Sequence, residues 1–298
     1  MFQNSHPGYF FTKDGTRIFY NTNFPHKNGL NDLPVLVFNY GLICNFAHWR
    51  EQIPFFENKG FNILLHDYRG HFNSSGQNHI ENCTFKNFTN DLHQLLASLG
   101  IKKPIMFGHS MGVNITLEYA KLYSDNISSM ILISGSVIPP QDVMFDSNIV
   151  DLALPYIKIF TEKFPDIFNT IWKNSYLLPP VRKIIHDGGF NTKKVPEEFV
   201  ELYMKKISQL NSALFFQLFK EMHDHDIINH IKSIKTPALI IGGDKDKVIP
   251  NYLQNILKKY LTNSELYIVK DGSHVPQVDF PDFINARIHR FITKNHSS

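Results

Sequence analysis

The sequence predicts an α/β chain: a mostly parallel, doubly wound sheet with an inserted helical cap subdomain. Two observations carry this. Short, continuous apolar runs of strand type alternate with helix-length segments of near 3.6-residue period, as in a parallel sheet covered on both faces. One stretch of roughly ninety residues then breaks the alternation with helical patterns alone.

The elements follow in order. GYFFTKDGTRIFYNTNF reads as a hairpin turning at Asp14-Gly15. Strand-type runs recur at Val35-Leu36-Val37-Phe38, Ile63-Leu64-Leu65, Ile105-Met106-Phe107, Met130-Ile131-Leu132-Ile133, Ala238-Leu239-Ile240-Ile241 and Leu266-Tyr267-Ile268-Val269. Helical periodicity fills most gaps between them: Phe88, Leu92, Leu95, Leu96 and Leu99 share one face, and Val113 to Tyr123 forms a second such segment. From about Ser136 to His225 no strand-like run occurs, and Pro139-Pro140, Pro155, Pro165, Pro179-Pro180, Gly188-Gly189 and Pro196 punctuate helical patterns. The predicted division is therefore a core of residues 1–135 and 226–298 and a cap of residues 136–225 over one end of the sheet.

Composition narrows the function. With 298 residues, 43% of them hydrophobic, the chain can bury a large core. The net charge of +3 comes from scattered basic residues with no basic run, so no nucleic-acid footprint is present. Cys44 and Cys83 make no disulfide framework and no zinc spacing, which fits a reducing compartment. The N-terminus lacks a signal-peptide pattern, and no apolar stretch approaches the roughly 18 to 20 residues that span a bilayer. A soluble, cytoplasmic protein is expected, with no integral membrane segment. Asn-x-Ser/Thr triplets at Asn82, Asn87 and Asn114 are chance products of an asparagine-rich chain.

The chemistry concentrates in FGHSMG, residues 107–112, just after a predicted strand. A serine flanked by glycines between strand and helix is the pattern of a nucleophile elbow, in which a crowded turn aims the hydroxyl into a cleft. A serine hydroxyl needs a base to take its proton, and the base needs an acid to hold its tautomer. In this architecture acid and base follow in that order, each in a loop after a later strand. GGDKDKVIP, residues 242–250, and DGSHVP, residues 271–276, supply them. Asp246 is taken as the acid and His274 as the base for Ser110, with Asp244 the competing acid.

The ordered motifs YGLICNFAHWREQIPFF, HDYRGHFNSSG, GHSMG, TPALIIGGDKDKVIP and DGSHVP resemble the α/β-hydrolase superfamily over nearly the whole chain. The resemblance implies the α/β-hydrolase fold with a helical cap, matches Asp246 to the family's acid, and implies an oxyanion hole made of the backbone N–H groups of Leu42 and Met111. Two departures stand out: Tyr40 precedes Gly41 where the family has histidine, and Phe72 follows His71 where it has glycine. His66, Asp67 and His71 belong to a loop that is structural in the family, and His109 is read as a packing residue. His223, Asp224, His225, Asp226 and His230 look like a metal cluster but lack hydrolase spacing, so no metal is expected. No cofactor is implied. In the cap, Phe145, Leu152, Phe160, Phe164, Phe168, Trp172, Phe199, Phe215, Phe216 and Phe219 are expected mostly to seal cap to core, the rest lining an apolar pocket above Ser110. The expected activity is hydrolysis of carboxylic esters or thioesters, the substrate a lipophilic small molecule. Carbon–carbon bond hydrolysis, cofactor-free haloperoxidase-like chemistry and ligand sensing are the alternatives, and oligomeric state is left open.

Overall fold

The computed structural model describes residues 2–25, 29–42, 44–139, 156–157, 159–161, 163–191 and 193–296. Eight strands form one sheet in the order β1-β2-β4-β3-β5-β6-β7-β8. β1 (His6–Phe11) and β2 (Arg17–Thr22) make the antiparallel hairpin, with Gly15 at φ 82° in its turn. β2 pairs antiparallel with β4 (Asn62–His66), and the remaining pairings are parallel. These involve β3 (Val35–Asn39), β5 (Ile105–His109), β6 (Ser129–Ile133), β7 (Ala238–Gly243) and the edge strand β8 (Ser264–Val269).

Burial on both faces explains why the central strands read as continuous apolar runs. Val35, Val37, Leu64, Met106, Met130, Leu132 and Ile240 pack on one face against α2 (Phe85–Ser98), α3 (Met111–Leu122) and α8 (Tyr252–Tyr260). Leu36, Phe38, Ile63, Leu65, Ile105, Phe107, Ile131 and Ile133 pack on the other against α1 (Gln52–Asn58) and α10 (Pro281–His296). Each such side chain contributes about 1.5–3 kcal/mol by leaving water. α2 begins three residues before its periodic face because the Thr84 hydroxyl accepts the Asn87 N–H at 3.2 Å and caps it.

Between β6 and β7 the described residues hold helices and no strand. They include α4 (Pro165–Lys173), α5 (Pro179–Gly189), α6 (Glu197–Ile207) and α7 (Ser212–Asp224). Proline opens α4 and α5, where its missing N–H costs nothing. Leu214, Leu218 and Met222 of α7 join a cluster with Tyr40, Tyr68, Phe85, Phe88 and Met111. Phe190 and Val195, with Phe199, Val200 and Met204 of α6, pack on Val275 and Val278. The inserted helices thus rest on the segments that carry Met111 and Val275. Of the large apolar residues expected to seal this stretch, Phe199 and Phe219 are buried, Phe160 and Phe164 are exposed, and Phe145 and Leu152 lie outside the described residues. Phe215 stacks on Phe219 at 5.7 Å, and the Trp172 indole N–H donates to the Leu210 carbonyl at 2.9 Å.

Candidate active site

β5 delivers Ser110 to a sharp turn. Its N–H still donates to the Ile133 carbonyl at 2.9 Å, but its backbone takes φ 54° and ψ −123° before α3 begins at Met111. A non-glycine residue held there stores about 1–3 kcal/mol of strain, sustained only by surrounding structure. That structure is crowded: a Cβ on Gly108 would stand 2.5 Å from the Gly112 carbonyl oxygen, and one on Gly112 would stand 2.3 Å from that of Asn39. The turn therefore has glycines for space, since neither shows a positive φ. Below it, the Asn39 amide donates to the Thr116 hydroxyl at 3.0 Å, and that hydroxyl donates to the Gly112 carbonyl at 2.8 Å.

The loops after β7 and β8 bring Asp246 and His274 together. Asp246 Oδ2 lies 2.9 Å from His274 Nδ1, and Oδ1 accepts the Val248 and Ile249 N–H groups at 2.9 and 2.8 Å. Both oxygens are therefore fixed in place. Asp244 points elsewhere, 3.9 Å from the Lys245 ammonium, and is not joined to His274. The histidine loop is braced by α9 (Pro276–Asp279), where Asp279 Oδ2 accepts the Ser273 N–H at 2.6 Å. Since a carbonyl can only accept, His109 Nε2 donates to the His274 carbonyl at 2.9 Å, which ties the residue before Ser110 to the histidine loop. Ser110 and His274 are only 9% and 8% exposed.

Met111 begins α3, so its N–H has no acceptor within the helix. The loop carrying Leu42 lies tight against the elbow: a Cβ on Gly41 would stand 3.0 Å from Ser110 Cβ. Tyr40 is fully buried and locked to Tyr68 in both directions. Its hydroxyl accepts the Tyr68 N–H at 3.2 Å, while the Tyr68 hydroxyl donates to the Tyr40 carbonyl at 3.0 Å. Phe72 occupies a left-handed conformation at φ 36°, with its ring edge-on to Tyr40 at 6.3 Å.

Burial sets the protonation states around the site. It holds His48 down to about 3, with the His274 charge adding to the effect, and holds His109 well below the usual imidazole range. It pushes the Cys44 thiol up to about 12 and the Asp67 carboxyl up to about 6, the latter partly offset by hydrogen bonds from Asn73. The possible metal cluster resolves otherwise: His225 Nε2 is 3.1 Å from Glu118 and its Nδ1 is 3.1 Å from the Asn114 amide. Among the described residues, the histidine and cysteine atoms that converge are those of Cys44, His48 and His109, within 4.8 Å of one another. Their positions in sequence gave no sign of this, because the fold alone brings His109 to the loop after β3.

A cleft of about 1200 Å³ runs beside that loop, lined by Asn45, Phe46, Ala47, Phe72, Trp172 and Phe199, with Arg50, Lys173 and Lys206 adding charge. Its lining is mixed rather than purely apolar, and it includes neither Ser110 nor His274.

Residues 34–157, from just before β3 to beyond β6, match the family model of the alpha/beta hydrolase fold. A bifunctional esterase/perhydrolase from Acinetobacter calcoaceticus is 29% identical over 283 residues, covering 92% of each chain. The chain is thus similar to the α/β-hydrolase superfamily over residues 34–157, and its fold is that of α/β-hydrolases. A non-heme haloperoxidase from Rhodococcus erythropolis, 24% identical, covers 94% of this chain and 97% of its own. The α/β-hydrolase fold is shared with an enol-lactonase from Burkholderia xenovorans, at a TM-score of 0.75 with 18% identity, covering 96% of this chain and all of the other. No helix among the described residues is long and apolar enough to cross a membrane.

Proposed function

We propose that this α/β-hydrolase is a serine hydrolase that cleaves carboxylic esters or thioesters of lipophilic small molecules, with Ser110, His274 and Asp246 as its triad. The observation that carries the reading is the Asp246–His274 contact of 2.9 Å, tied through His109 to a strained serine turn. Asp246 holds the imidazole with its Nδ1 proton inward, so that Nε2 takes the Ser110 proton as the hydroxyl attacks the carbonyl carbon. The N–H groups of Leu42 and Met111 receive the negative charge of the tetrahedral intermediate. His274 then protonates the leaving alcohol or thiol, and water repeats the sequence on the acyl-enzyme to release the acid. Among the described residues Ser110 Oγ and His274 Nε2 are not hydrogen-bonded, and in this reading substrate binding closes that contact.

Residues 136–225 act in this reading as a cap over the site. The buried contacts of Phe199 and Leu214 with the histidine and elbow segments support that role. Two unpaired cysteines support a cytoplasmic setting. A second reading, perhydrolysis with hydrogen peroxide in place of water at the acyl-enzyme, is favoured by the esterase/perhydrolase relative. A series of p-nitrophenyl esters of increasing acyl length, run on the wild type and on Ser110→Ala, tests the proposal. Turnover by the wild type that the variant lacks supports it; turnover that the variant retains overturns it.

A further inference from the structure

Cys44 and His48, in the segment after β3, and His109, the last residue of β5, are 4%, 2% and 0% exposed. Cys44 Sγ and His48 Nε2 stand 3.7 Å apart. An ion held at about 2.3 Å from sulfur and about 2.0 Å from nitrogen in a trigonal plane sets the two ligand atoms about 3.7 Å apart. The pair is therefore spaced for such an ion. His109 brings the third ligand atom within 4.8 Å of both, and closing to the same spacing takes a movement of about 1 Å shared among three side chains. Because His109 Nε2 donates to the His274 carbonyl, its Nδ1 carries the lone pair, and that nitrogen has no hydrogen-bond partner among the described residues. A buried polar atom left unsatisfied is unfavourable, and ligation would relieve it.

Charge chooses the ion. The group contains no carboxylate. A divalent ion with one thiolate would leave a net positive charge buried without a partner, whereas a monovalent ion with one thiolate sums to zero. Thiolate and imidazole ligands suit soft Cu+, while Zn2+ takes four ligands in closed sites. The Tyr203 hydroxyl, 3.9 Å from Sγ, is a neutral phenol and a poor fourth ligand.

We propose that Cys44, His48 and His109 form a trigonal site for a soft monovalent cation, Cu+. On binding, the Cys44 S–H bond breaks and its proton goes to the buffer. One Cu–S bond and two N-to-Cu dative bonds form, with no change of oxidation state. Occupancy draws on His109, which adjoins Ser110 and holds the His274 carbonyl, so it is expected to slow whatever reaction those residues perform.

The test is an anaerobic titration of the full chain with Cu+ against a chromophoric bicinchoninate competitor, followed by X-ray absorption of the loaded protein. One equivalent bound through one sulfur and two nitrogens is expected, and Cys83→Ser should bind equally. Cys44→Ser should lose more than the ~10- to 100-fold in affinity that removal of an outer-shell partner costs. Should that variant fail to fold by circular dichroism, His48→Gln is expected to weaken binding and to drop the nitrogen count by one. The proposal is overturned by absence of uptake, by uptake unchanged in the variant that folds, by a different ligand shell, or by Zn2+ binding more tightly than Cu+.

Discussion

Asp67→Asn should make this protein more stable at pH 8. Asp67 follows β4, and burial raises its carboxyl from the ordinary 3.8 to about 6, even though the Asn73 backbone and side-chain N–H groups donate to Oδ2 at 3.1 and 3.0 Å. The folded state thus favours the neutral carboxyl. Its stabilising effect is complete below the unfolded value and is lost as pH rises through about 6. The rise from 3.8 to about 6 corresponds to about 3 kcal/mol held against the charged form at pH 8. Asparagine keeps an oxygen for both Asn73 donors and never ionises, so it recovers most of that energy, and at about 2–4 °C per kcal/mol the melting temperature should rise by about 5–10 °C. At pH 4 the two proteins should melt within about 1 kcal/mol of each other. Thermal melts by circular dichroism across pH 4 to 8 provide the assay. A variant no more stable than the wild type at pH 8, or a difference that does not change with pH, would refute the reasoning.

Three further outcomes are expected. Burial depresses His48, His66 and His71 to about 3, 3 and 4, so the stability they confer is whole above about 6.5 and falls by about 4 kcal/mol per pH unit below it; urea melts at pH 7 and 5 would show a midpoint that hardly moves if this is wrong. Gly112→Ala forces a methyl to 2.3 Å from the Asn39 carbonyl oxygen, so a loss of about 1–3 kcal/mol is expected, checked by chemical denaturation. Under the proposed mechanism Asp246→Asn leaves His274 in the wrong tautomer and should lower kcat about 10⁴-fold with KM little changed; steady-state kinetics on the best p-nitrophenyl ester would expose a smaller effect.

Much of the fold was legible because burial on both faces writes itself as unbroken apolar runs. Val35 to Phe38, Met130 to Ile133 and Ala238 to Ile241 all lie within strands one or two residues longer than those runs. Strand ends such as Asn39 of β3 and His66 of β4 were hidden because they are polar in sequence, yet in the fold they hydrogen-bond each other at 3.1 Å. α2 extends upstream of its periodic face for a related reason, since a threonine cap leaves no hydrophobic signal. At the candidate site, the Asp246–His274 pairing was legible because each residue sits in a loop after a strand, where motif order carries information. The Cys44, His48 and His109 cluster could not, because pairing of β3 with β5 brings together residues far apart in the chain. The cleft was equally hidden: Arg50, Lys173 and Lys206 line it beside Phe199 through long-range packing that no local pattern encodes.

The central claim is that Ser110 is an activated nucleophile. Incubation of the full chain with a fluorophosphonate, followed by proteolysis and mass spectrometry, tests it without requiring the natural substrate. The account predicts a single adduct on the peptide carrying Ser110, formed by the wild type and not by His274→Ala. An unlabelled Ser110 in folded wild-type protein would contradict it.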